Sequence, residues 1–198
     1  FFCMSFCAWS QKKHTKRGIL FAYLILTFIS VIRFDIGYDY ENYWHYFDDA
    51  TRGYCGGMDA VDLLLYYVKE PFALLSVMIF CSFSGAPIWI FGVYACLTIY
   101  FIYRTIEYWN PQKHAICIFI LFISCIFFET WDWIRQGLAL SILLYSLKYV
   151  DQRKKGRFFL CMICAFCCHF SAMIFTIVYL IKDIRLNPMA LVMIIGVL

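Results

Sequence analysis

The chain has 198 residues, 64% of them hydrophobic and 21% aromatic, with only 15% charged and a mean hydropathy of +0.73. A water-soluble domain of this length cannot hide so much apolar surface. Composition therefore leaves an all-α, polytopic integral membrane protein with about six to eight transmembrane or partly inserted helices. The net charge of +4 says little by itself, and no nucleic-acid partner is expected; how the charge is distributed says more.

The chain opens on Phe1, not Met, inside the apolar run 1–9 and closes inside another, 189–198. The expectation is a single transmembrane helical domain over 1–198, truncated at both ends and lacking at least one helix at either. The leading run is short and is followed, not preceded, by its basic cluster, which is the wrong order for a signal peptide. The clear apolar runs are 18–32, 86–103, 115–128, 137–149 and 158–181. Several fall short of the roughly 20 residues of a simple crossing. Flanking aromatics (Tyr103, Tyr108, Trp109, Trp131, Trp133 and Tyr149) suit the interfacial belt and extend them. Segment 33–70 reads as an extracytoplasmic loop, followed by an interfacial or partly inserted helix over 72–83 that Gly85 and Pro87 break. Run 158–181 is either one tilted span or, preferably, two short helices broken near His169, with Ser171 as N-cap of the second.

Of the eleven cysteines, nine fall within apolar runs, where they serve as small packing residues; Cys55 is alone in the longest polar segment and Cys7 is near the first basic cluster. No even disulfide framework is indicated. Cys161, Cys164 and Cys168 share a helix face without the loop geometry of a zinc knuckle, so no metal is assigned.

Two basic clusters, Lys12 to Arg17 and Arg153 to Arg157, belong in the cytoplasm by the positive-inside rule. Counting crossings from each puts 33–70 and 129–136 outside and 104–114 inside. The inner segments then carry eleven basic against two acidic residues, and the outer ones four basic against ten acidic. Two independent anchors give one asymmetry.

Against this topology three ionisable residues stand out. Arg33, Arg135 and His169 each close or interrupt an apolar stretch, where a charge costs roughly 2.5–3.5 kcal/mol on insertion scales. They gather at the outer face with Asp35, Asp39 and Glu70. An arginine there either snorkels to lipid phosphate or grips a substrate phosphate with its planar fork. Gln136 adds a neutral donor and acceptor beside Arg135, and Gly37 permits a turn that aims Asp35 and Asp39 one way. The aromatics around Asp39 (Tyr38, Tyr40, Tyr43 and Trp44 among them) can stack on sugar rings. Tyr46 and Phe47 read instead as belt residues, and Asp48, Asp49, Asp59 and Asp62 as a solvated loop.

In order, Arg33, Gly37, Asp39, Tyr40 and Tyr43, then Glu70, Pro71 and Phe72, then Arg135, Gln136 and Ala139, then His169 and Ser171 resemble the EpsG/Wzy-like polysaccharide polymerases. The resemblance runs from Arg33 to about Tyr179; Pro71 and the cysteine-rich run before His169 are departures from the usual pattern. It implies a multi-pass protein of the bacterial cytoplasmic membrane that polymerises polyprenyl-diphosphate-linked oligosaccharide repeats at the outer face. The products would be capsule, exopolysaccharide or O-antigen. Partners would be the lipid-linked oligosaccharide, membrane lipids, and a chain-length regulator and flippase of the same pathway. The chemistry needs charge stabilisation of the departing diphosphate, for which Arg33 and Arg135 are candidates, and a base for the acceptor hydroxyl: Asp39, or alternatively Glu70 or His169. Tyr40, Tyr43 and Gln136 would bind substrate. The activated lipid already stores the energy, so no cofactor is expected. A related glycosyltransferase using a lipid-phosphate sugar donor shares these residue types. A non-enzymatic lipid-linked glycan transporter would need charges along a path at both faces, whereas the inner polar residues here are nearly all basic loops.

A cysteine introduced at position 59 in a cysteine-free background should react with an impermeant maleimide on intact cells, and one at position 113 should not. The reverse pattern overturns the topology.

Overall fold

The computed structural model describes residues 2–13, 17–109 and 114–181. Lys113, assigned to the cytoplasm above, lies outside the described residues, as do segment 182–187 and part of the first basic cluster. The described chain is all-helical, with no strand. In order come α1 (Phe2–Lys13), α2 (Arg17–Ile32), α3 (Tyr40–Cys55), and α4 (Ala60–Leu63) running into a π-helical turn, Leu64–Val68. Then come α5 (Pro71–Phe80), α6 (Ala86–Tyr108), and α7 (Ala115–Phe122) with a second π turn, Ile123–Phe127. The last are α8 (Glu129–Asp132), α9 (Ile134–Asp151), α10 (Lys155–Cys168), a 3-10 helix (Phe170–Thr176) and α11 (Ile177–Ile181).

α6 is the one described helix long and apolar enough to cross a membrane; α2, α5 and the segment Phe170–Tyr179 are shorter apolar helices. Its start is set by Gly85, in the left-handed region at φ +67°, and by Pro87 in its first turn, where a missing N–H costs nothing. α6 is also the wall shared by two apolar cores. Ile90, Phe91 and Tyr94 pack with α3, α5, α9 and α10, while Ile99 and Ile102 pack with α1, α2 and α7. Large apolar side chains are left outside both, among them Phe28, Ile32, Leu160 and Ile163.

The structure departs from the sequence reading in three places. Segment 33–70 is not an open loop: α3 places Tyr40, Phe47, Ala50 and Thr51 on a buried face at helical spacing, with Asp48 and Arg52 paired on the outer one at 2.5 Å. Phe47, read as an interfacial belt residue, is wholly buried. Second, the run 115–128 is not one regular crossing. A π turn, Ile123–Phe127, interrupts it, and Phe127 and Trp131 meet edge to face at 5.2 Å in the core. Third, the break in 158–181 falls at His169, whose backbone is extended (φ −161°, ψ 126°). His169 itself holds the N-cap position and Ser171 lies inside the 3-10 helix, so Ser171 is not the cap.

The link from α2 to α3 is pinned to α8. Asp132 Oδ1 accepts from the Tyr38 backbone N–H at 2.6 Å, and Gly37 sits beneath it at φ +120°. A Cβ at Gly37 would stand 2.9 Å from that same carboxylate oxygen. Gly37→Ala should therefore destabilise the solubilised protein by about 1–3 kcal/mol. Gly57→Ala, at φ +93° with nothing within 4 Å, should cost less. Thermal unfolding in detergent measures both, and equal melting points would remove the clash.

Candidate functional site

Glu70 is the centre of the polar site. It follows Lys69, which is left-handed at φ 53°, and precedes Pro71, which forces it into an extended conformation (φ −109°, ψ 135°) and off the helix. Its carboxylate does not cap α5. It turns inward, only 4% exposed, and is met by three side chains.

Arg135 Nη1 donates to Glu70 Oε2 in a close ion pair and to the Tyr46 hydroxyl at 3.3 Å. Tyr46 has one proton; it goes to the Val68 carbonyl, its nearest acceptor, with Glu70 Oε2 at 3.3 Å. On the other side His169 Nδ1 lies 3.4 Å from Glu70 Oε1. The Arg135 guanidinium lies over the Tyr46 and Tyr43 rings, at 4.7 and 5.5 Å from their centroids. Its Nε has no hydrogen-bond partner.

Local structure explains each placement. Trp133 (φ −104°, ψ 58°) breaks the chain between α8 and α9, so Arg135 falls in the first turn of α9. A cation there stands at the positive end of the helix dipole, an unfavourable position that Glu70 and the tyrosine rings offset. His169 leaves the axis of α10 at the break, and α10 packs on α5, which brings the imidazole to Glu70.

The other predicted residues are elsewhere. Arg33 is 7% exposed and sits between the Phe91 and Trp131 rings, at 5.9 and 5.2 Å, with Nη1 unpartnered. Burial lowers its guanidinium to about 10, with the Tyr40 and Asp132 side chains pulling back up, so it stays charged at neutral pH. Asp39 stands at the head of α3 and accepts from Asn42 Nδ2 at 3.1 Å rather than joining Glu70. Tyr40 is packed among Phe34, Trp44 and Phe91. Gln136 is exposed on α9, and Asp35 takes a left-handed φ of 53°. Phe34, Asp35, Tyr40, Glu41, Trp44 and His45 line an open groove of about 260 Å³.

Tyr46 was set aside by the sequence reading as a belt residue, and it is part of the site. The signal available was helical spacing: Tyr43 and Tyr46 are three apart on α3, with buried Phe47 beside them.

The family model of the EpsG family matches residues 16–198. The chain belongs to the EpsG family. EpsG membership points to a membrane protein of polysaccharide biosynthesis. No curated protein and no solved structure matches the chain at a significant level. Within this EpsG-family chain, the positions that first suggested the family at Glu70, Arg135 and His169 converge on one carboxylate.

A buried carboxylate and guanidinium should be energetically coupled. Glu70→Ala or Arg135→Ala alone should cost about 3–5 kcal/mol, since each strands a charge. The double variant should cost less than the sum by about 0.5–3 kcal/mol. Unfolding of the detergent-solubilised protein measures the cycle, and simple additivity would show that the pair is not coupled.

Proposed function

We propose that this chain is a multi-pass enzyme of the bacterial cytoplasmic membrane that polymerises polyprenyl-diphosphate-linked oligosaccharide repeats at the outer face. The observation that carries the reading is the meeting of Glu70, Arg135, His169 and Tyr46 around one buried carboxylate, drawn from four separate segments of the chain. Charges this deep in an apolar protein are costly and are normally kept for substrate. Family membership supports the polysaccharide part of the reading, and the apolar side chains left outside both cores on α2 and α10 support contact with lipid.

In this reading the acceptor sugar hydroxyl attacks the anomeric carbon of the growing glycan as its bond to the diphosphate oxygen breaks. His169 takes the hydroxyl proton at Nε2, while Nδ1 faces Glu70, which orients the ring and stabilises the imidazolium that forms. This assigns the base to the Glu70–His169 pair rather than to Asp39, whose carboxylate is engaged by Asn42. Arg135 has donors beyond the one engaged by Glu70 and Tyr46, and these answer the charge developing on the diphosphate. The groove between Phe34 and Trp44 offers aromatic faces for a sugar ring, with Asp35 and Glu41 for its hydroxyls. Arg33, locked between two rings, then serves mainly to hold α2 and α8 together.

His169→Gln should lower polymer formation by about 10²–10⁴-fold while single lipid-linked repeats accumulate. Arg135→Lys should also lose most activity, because a point charge does not reproduce the planar fork. Polymer ladders on gels at matched membrane abundance read both. Normal ladders from both variants would end the assignment. An active His169→Gln beside an inactive Asp39→Asn would return the base to Asp39.

A further inference from the structure

Cys55 is the last residue of α3 and Cys81 follows the last residue of α5. The two helices pack together, and at this end the Cys55 thiol donates to the Cys81 carbonyl at 3.2 Å and also reaches the Cys81 side chain. Both are free thiols, Cys55 exposed and Cys81 half-buried. The other cysteines lie on α1, α6, α7 and its π turn, and α10. Cys55 and Cys81 instead bracket the irregular, polar segment that contains Glu70.

Their position in the fold gives the pairing a purpose. Away from this end of the same two elements, Tyr46, near the middle of α3, meets Glu70 at the head of α5. Tyr46 to Cys55 is nine residues and Glu70 to Cys81 is eleven, roughly 14 and 16 Å of helix at 1.5 Å per residue. The two helices thus run parallel and in step, with one contact at the site and the other at the thiols. Cys81 also immediately precedes the turn at Gly85 that opens α6, so the thiols lie at the end of α6 opposite Tyr108. In the orientation proposed above, on which this inference rests, that end faces the extracytoplasmic space, where disulfides persist.

We propose that Cys55 and Cys81 are a disulfide site: oxidation there closes the ring 55–81 and clamps α3 to α5 at the end remote from Glu70. The oxidant is a disulfide-bearing thiol oxidoreductase of the extracytoplasmic space. One thiolate attacks its disulfide to form a mixed disulfide, and the second displaces the oxidoreductase. One S–S bond forms in this chain, one breaks in the oxidant, and the two electrons and two protons leave with the oxidant as its dithiol. The clamp holds Tyr43 and Tyr46 in register with Glu70 without touching the reacting groups.

The test dissolves cells carrying the full chain in SDS with N-ethylmaleimide and no reductant, then maps the digested protein by mass. The expected result is a linked Cys55–Cys81 peptide pair with no maleimide on either residue, and maleimide on both once reductant is added first. Maleimide on both residues without reductant overturns the disulfide. A second arm treats intact cells carrying Cys55→Ser with a membrane-impermeant maleimide. If the freed Cys81 is labelled while both wild-type thiols prove free, the outer-face orientation stands and only the disulfide fails. If Cys81 is not labelled and both wild-type thiols are free, both fail.

Discussion

The structure is organised around the problem of keeping the Glu70 carboxylate in an apolar interior. A lone carboxylate there would cost several kcal/mol, and only a close, hydrogen-bonded cation offsets that penalty. Arg135 supplies the cation and His169 an imidazole near the other oxygen, while the Tyr46 hydroxyl, its proton on the Val68 carbonyl, accepts from the same guanidinium. A well-packed apolar cluster would stabilise the fold at least as well, so stability alone does not explain why these groups are here. What they form is a carboxylate, an imidazole and a guanidinium held close to one another.

Each departure from regular helix serves that meeting. The π turn before Lys69 and the proline after Glu70 turn the carboxylate away from α5. The break at Trp133 starts α9 one residue before Arg135, and the extended His169 ends α10 where its ring can reach α5. Regular helices would project these side chains outward on faces set by helical spacing alone. The irregular backbone is found where polar groups line an interior site, which is where an apolar protein tolerates it.

The two arginines singled out by the same reasoning have different fates. Both end apolar stretches on the same predicted side, and composition treats them alike. Arg33 enters an aromatic slot between Phe91 of α6 and Trp131 of α8, while Arg135 meets a carboxylate. The difference lies in what each helix packs against, and no local feature of either sequence encodes it. The same holds for Tyr46 and Phe47. Adjacent on α3, they point to different neighbours: one hydroxyl joins the ionic cluster, and the other ring disappears into the core.

By itself the sequence determined the all-helical class, the approximate places of α2, α5, α6 and α9, the interruption near His169 and the family. Those depend on composition, apolar run length, Gly and Pro punctuation and the order of motif residues, all of them local. It also supplied Arg135 and His169 as candidates, because a charge in an apolar stretch is visible without a structure, and Glu70 through its place in the outer segment and the family resemblance. Only the tertiary structure decided that these three share one carboxylate, that Tyr46 joins them while Arg33 and Asp39 do not, and that Cys55 lies beside Cys81. These contacts join residues 24 to 99 positions apart, or helices whose register is fixed only when α3, α5, α9 and α10 close around α6.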